Sequence, residues 1–327
     1  MSKMLVLIGL LTLLLGGCSS TTPNPTAPQI SSAPTPAPPS TVIASPVEFV
    51  MQIKGEAEPL GKPVGVAVDA QGNVYVMDAK NSHVQKFDSN GRFLLAWGKS
   101  GNGNGQFNVN NHGGGRIAVD GQGNVYVTDT QFRVQKFDSD GKFITTWGSK
   151  GNGEGQFQFR ISVAADTEGN VYVADTENHR IVKFDSHGKF LQQLGGRDSG
   201  EQELFGPIGL SVDAEGNIYV AEFKNGRIQK LDRSGKLMAK FYVDAIENKF
   251  VIPGDVAVDA QNNLYVTDWQ NNRIIKLDGQ GKILGAWGNR GTGESQFEEP
   301  WGVAVDVQGN VYVTDTNNSR VQKFRSK

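Results

Sequence analysis

The chain has 327 residues, including 41 Gly, and carries a formal net charge of −2 with a pI near 6.1. That balance gives no global pull toward phosphate backbones or acidic surfaces. A single cysteine, Cys18, excludes an intramolecular disulfide and a CxxCH haem attachment site.

The first element is a targeting segment. Lys3 supplies a positive start, residues 4–15 are almost wholly apolar, and Leu15-Gly16-Gly17-Cys18 places small residues before the cysteine. The apolar run is too short to cross a bilayer as a mature helix. It resembles a bacterial lipoprotein signal, residues 1–17, with Leu15–Cys18 as the lipobox. The resemblance implies cleavage before Cys18, lipidation of its thiol (a diacylglycerol with palmitate-type chains), and an extracytoplasmic address in the cell envelope. An ordinary secretory signal with an incidental cysteine is the alternative. Residues 18–46 continue as Ser, Thr, Pro and Ala without a charge. Such a segment cannot bury enough apolar area to offset chain entropy and is expected to be a disordered tether.

From residue 47 onward one pattern is written six times. Its last copy, residues 302–324, reads GVAVDVQGNVYVTDTNNSRVQKF: two β-branched strands about a Gly-Asn turn, a polar loop, and a third strand. The first aspartate recurs as Asp69, Asp120, Asp166, Asp213, Asp259 and Asp306, at intervals of 51, 46, 47, 46 and 47 residues. A period of this size signals a repeat architecture. Five copies add a fourth strand, such as FLLAWG at 93–98 and ILGAWG at 283–288, which the sixth lacks. Residues 49–54, FVMQIK, match that missing strand, so the N-terminal strand is expected to complete the last blade and close a ring. The segments P-x-G-[VI]-A-V-D, G-N-[VI]-Y-V-[TA]-D and N-x-R-[IV]-x-K-[FL] resemble NHL repeats across residues 48–324. The resemblance implies an all-β, six-bladed β-propeller over residues 47–327.

Most recurring letters serve that scaffold. The Gly-Asn pairs, with Asn262-Asn263 in blade 5, supply the left-handed residue of tight hairpins. Asp78, Asp129, Asp175, Asp268 and Asp315 end the second strand, and His83, Arg133, Arg180, Arg273 and Arg320 follow four or five residues later. Such pairs suit a charge-assisted bond that fixes the intervening loop. Lys86, Lys136, Lys183, Lys230, Lys276 and Lys323 recur once per blade, so no basic stripe with interleaved aromatics forms and no nucleic-acid partner is expected. RNA binding, known for some tripartite-motif NHL proteins, also conflicts with the export signal. The Gly-rich runs at 98–107, 148–157 and 288–297 have no helix behind them and are expected to be interblade loops. Phe107, Phe157, Phe205 and Phe297 are expected to plug between blades.

A binding site is expected where the copies differ. Four residues before the first aspartate stand Gly65, Arg116, Ser162, Gly209, Asp255 and Gly302, which ring the mouth of the central channel. Arg116 and Asp255 belong to opposite blades. Blade 2 also has an insertion carrying His112, Arg160 replaces a proline, and Trp301 opens blade 6. Phe223 and Trp269 follow the second-strand acid in blades 4 and 5, suiting a partner contact or packing against the altered loop at 242–253.

Some NHL-like propellers are lyases or hydrolases with a metal in the channel. The four histidines here converge in no triad, and Asp255 is the only acid at the mouth, so neither a zinc nor a calcium centre is expected, nor any other cofactor. The expectation is a membrane-tethered, non-catalytic module binding a protein, peptide or glycan through its variable face. A lyase or hydrolase acting through Arg116, His112 and Asp255 is the alternative.

Overall fold

The computed structural model describes residues 46–55, 58–109, 114–197, 199–243 and 251–327; the signal, residues 18–45 of the tether and His112 lie outside them. Six four-stranded antiparallel sheets stand around one axis. Blade 1 comprises Pro63–Val68, Val74–Asp78, His83–Phe87 and Phe93–Trp97, innermost to outermost, and blades 2 to 5 repeat the order. In blade 6 the outermost place is taken by Val47–Ile53, paired antiparallel with Arg320–Ser326 from Val47 opposite Ser326 to Ile53 opposite Val321. The innermost strand of each blade touches those of both neighbours, so the ring is closed. Among the described residues no helix is long and apolar enough to cross a membrane.

The first aspartate of each repeat organises the hairpin between the two inner strands. Asp69 Oδ1 accepts from the backbone N–H of Gln71 (3.0 Å) and Asn73 (2.8 Å), while Oδ2 accepts from the Asn73 amide (2.8 Å) and the Tyr75 hydroxyl (3.0 Å). The same four bonds recur at Asp120, Asp166, Asp213, Asp259 and Asp306. The turn needs a left-handed residue, supplied by Gly72 at φ 82° and, in blade 5, by Asn262 at φ 64°. Burial, first, and the aspartate beside it push the hydroxyl of Tyr75 out of its ordinary titration range.

The repeated lysine lies over that tyrosine, with Lys86 Nζ 5.1 Å from the Tyr75 centroid. It also reaches the next blade: Lys86 donates to the Ser139 carbonyl (3.0 Å), Lys136 to that of Ser186 (2.9 Å), and Lys323 to that of Ser89 (3.1 Å) across the seam. Four of the lysines, Lys276 among them through the Ser326 hydroxyl (2.7 Å), thus stitch neighbouring blades, whereas Lys230 faces Asp213 of its own blade at 3.7 Å. The acid–base pairs at the other end are made as well. Asp129–Arg133, Asp175–Arg180, Asp268–Arg273 and Asp315–Arg320 stand at 2.7–3.0 Å with the carboxylates buried, and Glu222–Arg227 replaces them in blade 4. In blade 1 His83 stands 3.8 Å from Asp78. Each arginine does more than fix its own loop. Arg180 also donates to the carbonyls of Gly153 (2.8 Å) and Gln156 (2.9 Å), which ties the incoming Gly-rich loop to the blade.

Apolar packing is divided into six clusters, one at each contact between blades. Phe107, Phe157 and Phe297 are fully buried in them as expected, but Phe205 is not. In that loop Leu204 fills the plug position and Phe205 lies outside, stacked on His179 with centroids 4.9 Å apart. The loop EQELFGP lacks the G-x-G-x-x-Q-F frame of the others, and Leu204 stands three residues before Pro207 as Phe297 stands three before Pro300.

Candidate functional site

The inner strands all begin at the same end of the ring, so residues just before them crowd around the axis. At four of the six positions stands a glycine or a serine. Blade 2 supplies Arg116, whose guanidinium crosses the axis. It donates to the carbonyls of Val64 (3.2 Å), Trp301 (3.1 Å) and Gly254 (3.2 Å), and to Asp255 Oδ2 (3.4 Å). One side chain thereby ties blade 2 to blades 1, 6 and 5. Asp255 also accepts from the N–H groups of Val256 (3.0 Å) and Val303 (3.3 Å). The inner strand of blade 4 passes close enough that a Cβ at Gly209 would lie 2.5 Å from the Asp255 Cα, so only glycine fits there.

Both partners are largely shielded, each side chain being 13% exposed. Burial, against the opposing pull of Arg116 and the two N–H groups, pushes the Asp255 carboxyl up to about 6. A raised folded-state pKa means that the native protein holds this proton more tightly than the unfolded chain. Its stabilising contribution is full below about pH 4 and is lost as the pH rises through about 6, by at most about 3 kcal/mol. Asp255→Asn is therefore expected to match the parent's melting temperature near pH 4.5 and to exceed it near pH 7.5. A difference that is constant across that range, measured by scanning calorimetry, contradicts this assignment.

Below the clasp lies an axial cavity of about 210 Å³ walled by all six inner strands. Its lining is glycine, alanine and branched aliphatics apart from Arg116, Ser162, Ser211 and Asp255. Ser162 is thus placed in the cavity wall, itself only 3% exposed. Among the described residues no three His, Cys, Asp or Glu side chains gather as a metal would require.

A second bridge crosses the same mouth. Arg160 of blade 3 lies with its guanidinium carbon 5.6 Å from the Trp301 ring of blade 6 and 5.3 Å from that of Phe159. Trp301 in turn stacks on Trp269 of blade 5, with centroids 4.6 Å apart and planes at 16°. Unlike Arg116, Arg160 makes no side-chain hydrogen bond or ion pair among the described residues, and its buried Nε has no partner. Burial first, and then the neighbouring charge of Arg116, push its pKa down.

Sequence differences therefore gather in space: Arg116, Asp255, Arg160, Trp301 and Trp269 meet over the channel mouth. Phe223 packs with Trp269 and Trp301 on the core cluster between blades 4 and 5 and is only partly exposed. Neither Phe223 nor Trp269 stands free of the surface. Phe159 was not singled out by its sequence. It is 55% exposed and holds φ 64°, a conformation unfavourable for an aromatic residue. The signal was present, since the corresponding residue of blade 4 is Gly206, at φ 68°.

Five segments, residues 60–87, 161–184, 206–231, 250–277 and 297–324, match the NHL repeat family. The chain is an NHL-repeat β-propeller. Blade 2 of this NHL propeller, which carries Arg116, falls between the first two matched segments. No curated protein sequence matches the chain. Among solved structures, a streptogramin B lyase is 14% identical, covering 85% of this chain and 97% of its own, with a TM-score of 0.57. A catalytically inactive virginiamycin B lyase from Staphylococcus aureus, solved with quinupristin, is 13% identical over 86% of this chain and all (100%) of its own, at 0.58. A protein of unknown function from Bacteroides thetaiotaomicron is 17% identical over 86% of this chain and 76% of its own, at 0.61. At such identities the likeness is one of fold, and activity must be argued from the site.

Proposed function

We propose that this NHL propeller is a lipid-anchored, extracytoplasmic binding module of the bacterial cell envelope. It takes a protein, peptide or glycan at the face around the channel mouth and does not transform it. The observation supporting this is the gathering of Phe159, Arg160, Trp269 and Trp301 at that face, with an exposed ring and a guanidinium that has no ion-pair partner among the described residues. Arg116 and Asp255 are committed to each other and to main-chain groups, which fits a clasp better than a general acid–base pair.

A lyase or hydrolase is the alternative, favoured only by the fold shared with the streptogramin-type lyases. Incubating the soluble propeller with a bound ligand, with and without added divalent metal, separates the two. Mass spectrometry should recover the ligand unchanged; metal-dependent conversion would overturn the binding role. For the anchor, Cys18→Ser is expected to move the full-length protein from the detergent phase of a Triton X-114 partition into the aqueous phase. Two or more acyl chains at about 0.8 kcal/mol per buried methylene make that transfer nearly complete. Equal partitioning of the two proteins would remove the lipid from the proposal.

A further inference from the structure

Arg160 occupies a position that is proline in four other blades, Pro63, Pro207, Pro253 and Pro300, and glycine, Gly114, in blade 2. Proline there serves the fold, so the arginine is not required to build the blade. Among the described residues its buried Nε is the only charged-group atom among the buried polar atoms without a partner; the others belong to tryptophan and glutamine. A guanidinium left in this state carries a standing desolvation cost that an anion relieves.

We propose that Arg160 anchors the carboxylate of a peptide C-terminus, with the exposed Phe159 ring receiving the apolar last side chain. The inference rests on the binding role proposed above and names its ligand. Charge selects the class of anion. Arg116 and Asp255 neutralise each other at 3.4 Å, so Arg160 stands beside them as a single positive charge without an ion-pair partner among the described residues, which complements a monoanion better than a phosphate dianion. Geometry selects the carboxylate. The Arg160 guanidinium carbon lies 5.3 and 5.6 Å from the Phe159 and Trp301 rings, and of its nitrogens only Nε is buried without a partner, which leaves the two terminal nitrogens as the fork that a planar carboxylate meets in bidentate fashion. Chemistry of the surroundings selects the carrier. A uronate sugar would also need donors and acceptors for its hydroxyls, yet Arg116 is spent on three carbonyls and Asp255, and the Asn271 amide is bonded to Asp268. What remains open is the Phe159 ring, 55% exposed, which suits a terminal apolar residue.

The test uses acetyl-Ala-Ala-Phe as the free acid, the same peptide as its C-terminal amide, and trigalacturonate, each titrated calorimetrically onto the propeller. The free acid is expected to bind at least tenfold more tightly than the amide. Arg160→Gln should reduce the acid to the amide's level without lowering the melting temperature. Arg160→Lys should fall between, because it keeps the charge and loses the fork. Equal binding of acid and amide, or an Arg160→Gln variant that binds the acid unchanged, overturns the proposal. So does no detectable binding of the acid, and so does trigalacturonate binding more tightly than the acid peptide. A propeller that binds acid and amide alike, and loses both in Phe159→Ser, keeps its role as a binding module while the carboxylate assignment falls.

Discussion

Deleting residues 47–53 is expected to lower the melting temperature by about 8–10 °C and to make the protein associate. The deleted strand buries Val47 and Ile53, each worth about 1.5–3 kcal/mol, and carries the outer ladder of blade 6. It also supplies the Gln52 side chain that accepts from Arg320 at 3.0 Å. A loss of about 5 kcal/mol corresponds to that shift in a domain of this size. Without the strand, Arg320–Ser326 becomes an unpaired edge beside the exposed ends of two apolar clusters, which templates pairing with another copy. Calorimetry and light scattering measure both effects, and a synthetic peptide of residues 46–54 added in trans should reverse them. An unchanged melt and a monodisperse solution would mean that the ring does not depend on this pairing.

Arg116→Met is expected to cost about 3–5 kcal/mol at pH 7.5, because it removes one partner of a shielded pair and strips three carbonyls of their donor. The loss should shrink toward pH 5. Without the arginine the pull that lowers the Asp255 pKa is gone, so the folded-state value rises further above the unfolded one. The stabilising contribution of the bound proton then persists to higher pH and is larger before it is lost. Chemical denaturation of parent and variant at the two pH values reads the difference directly. An identical loss at both would show that Asp255 does not feel Arg116.

The ring itself was legible because its determinants are local. The Asp–Asn–Tyr hub spans six residues, and the acid–arginine pairs span four or five. Any periodic sequence displays such spacings on its face. Closure by the N-terminal strand was legible for a different reason: a missing copy at one end matched a surplus copy at the other. Positions of departure could also be found, and Arg116 opposite Asp255 followed from six-fold geometry. What the repeat could not convey was the meeting of Arg160 with Trp301, because that contact depends on how far two long side chains lean over the axis. Phe205 misleads because it is the aromatic residue of its loop, whereas counting three back from Pro207, as from Pro300 to Phe297, gives Leu204 as the plug. Phe159 escaped notice because its importance lies in a backbone angle.

The seam has a mechanical consequence. Residue 46 enters the propeller beside its C-terminus, where the Lys327 N–H donates to the Pro46 carbonyl at 3.0 Å, and Val47 opens the ladder opposite Ser326. A pull applied through the N-terminus therefore loads the hydrogen bonds of that ladder one after another, as a zip, and not all together in shear. The strand that shuts the wheel is the first to peel under tension. In a force spectrum it should give a weak early step, and the wheel should reseal when the load is released.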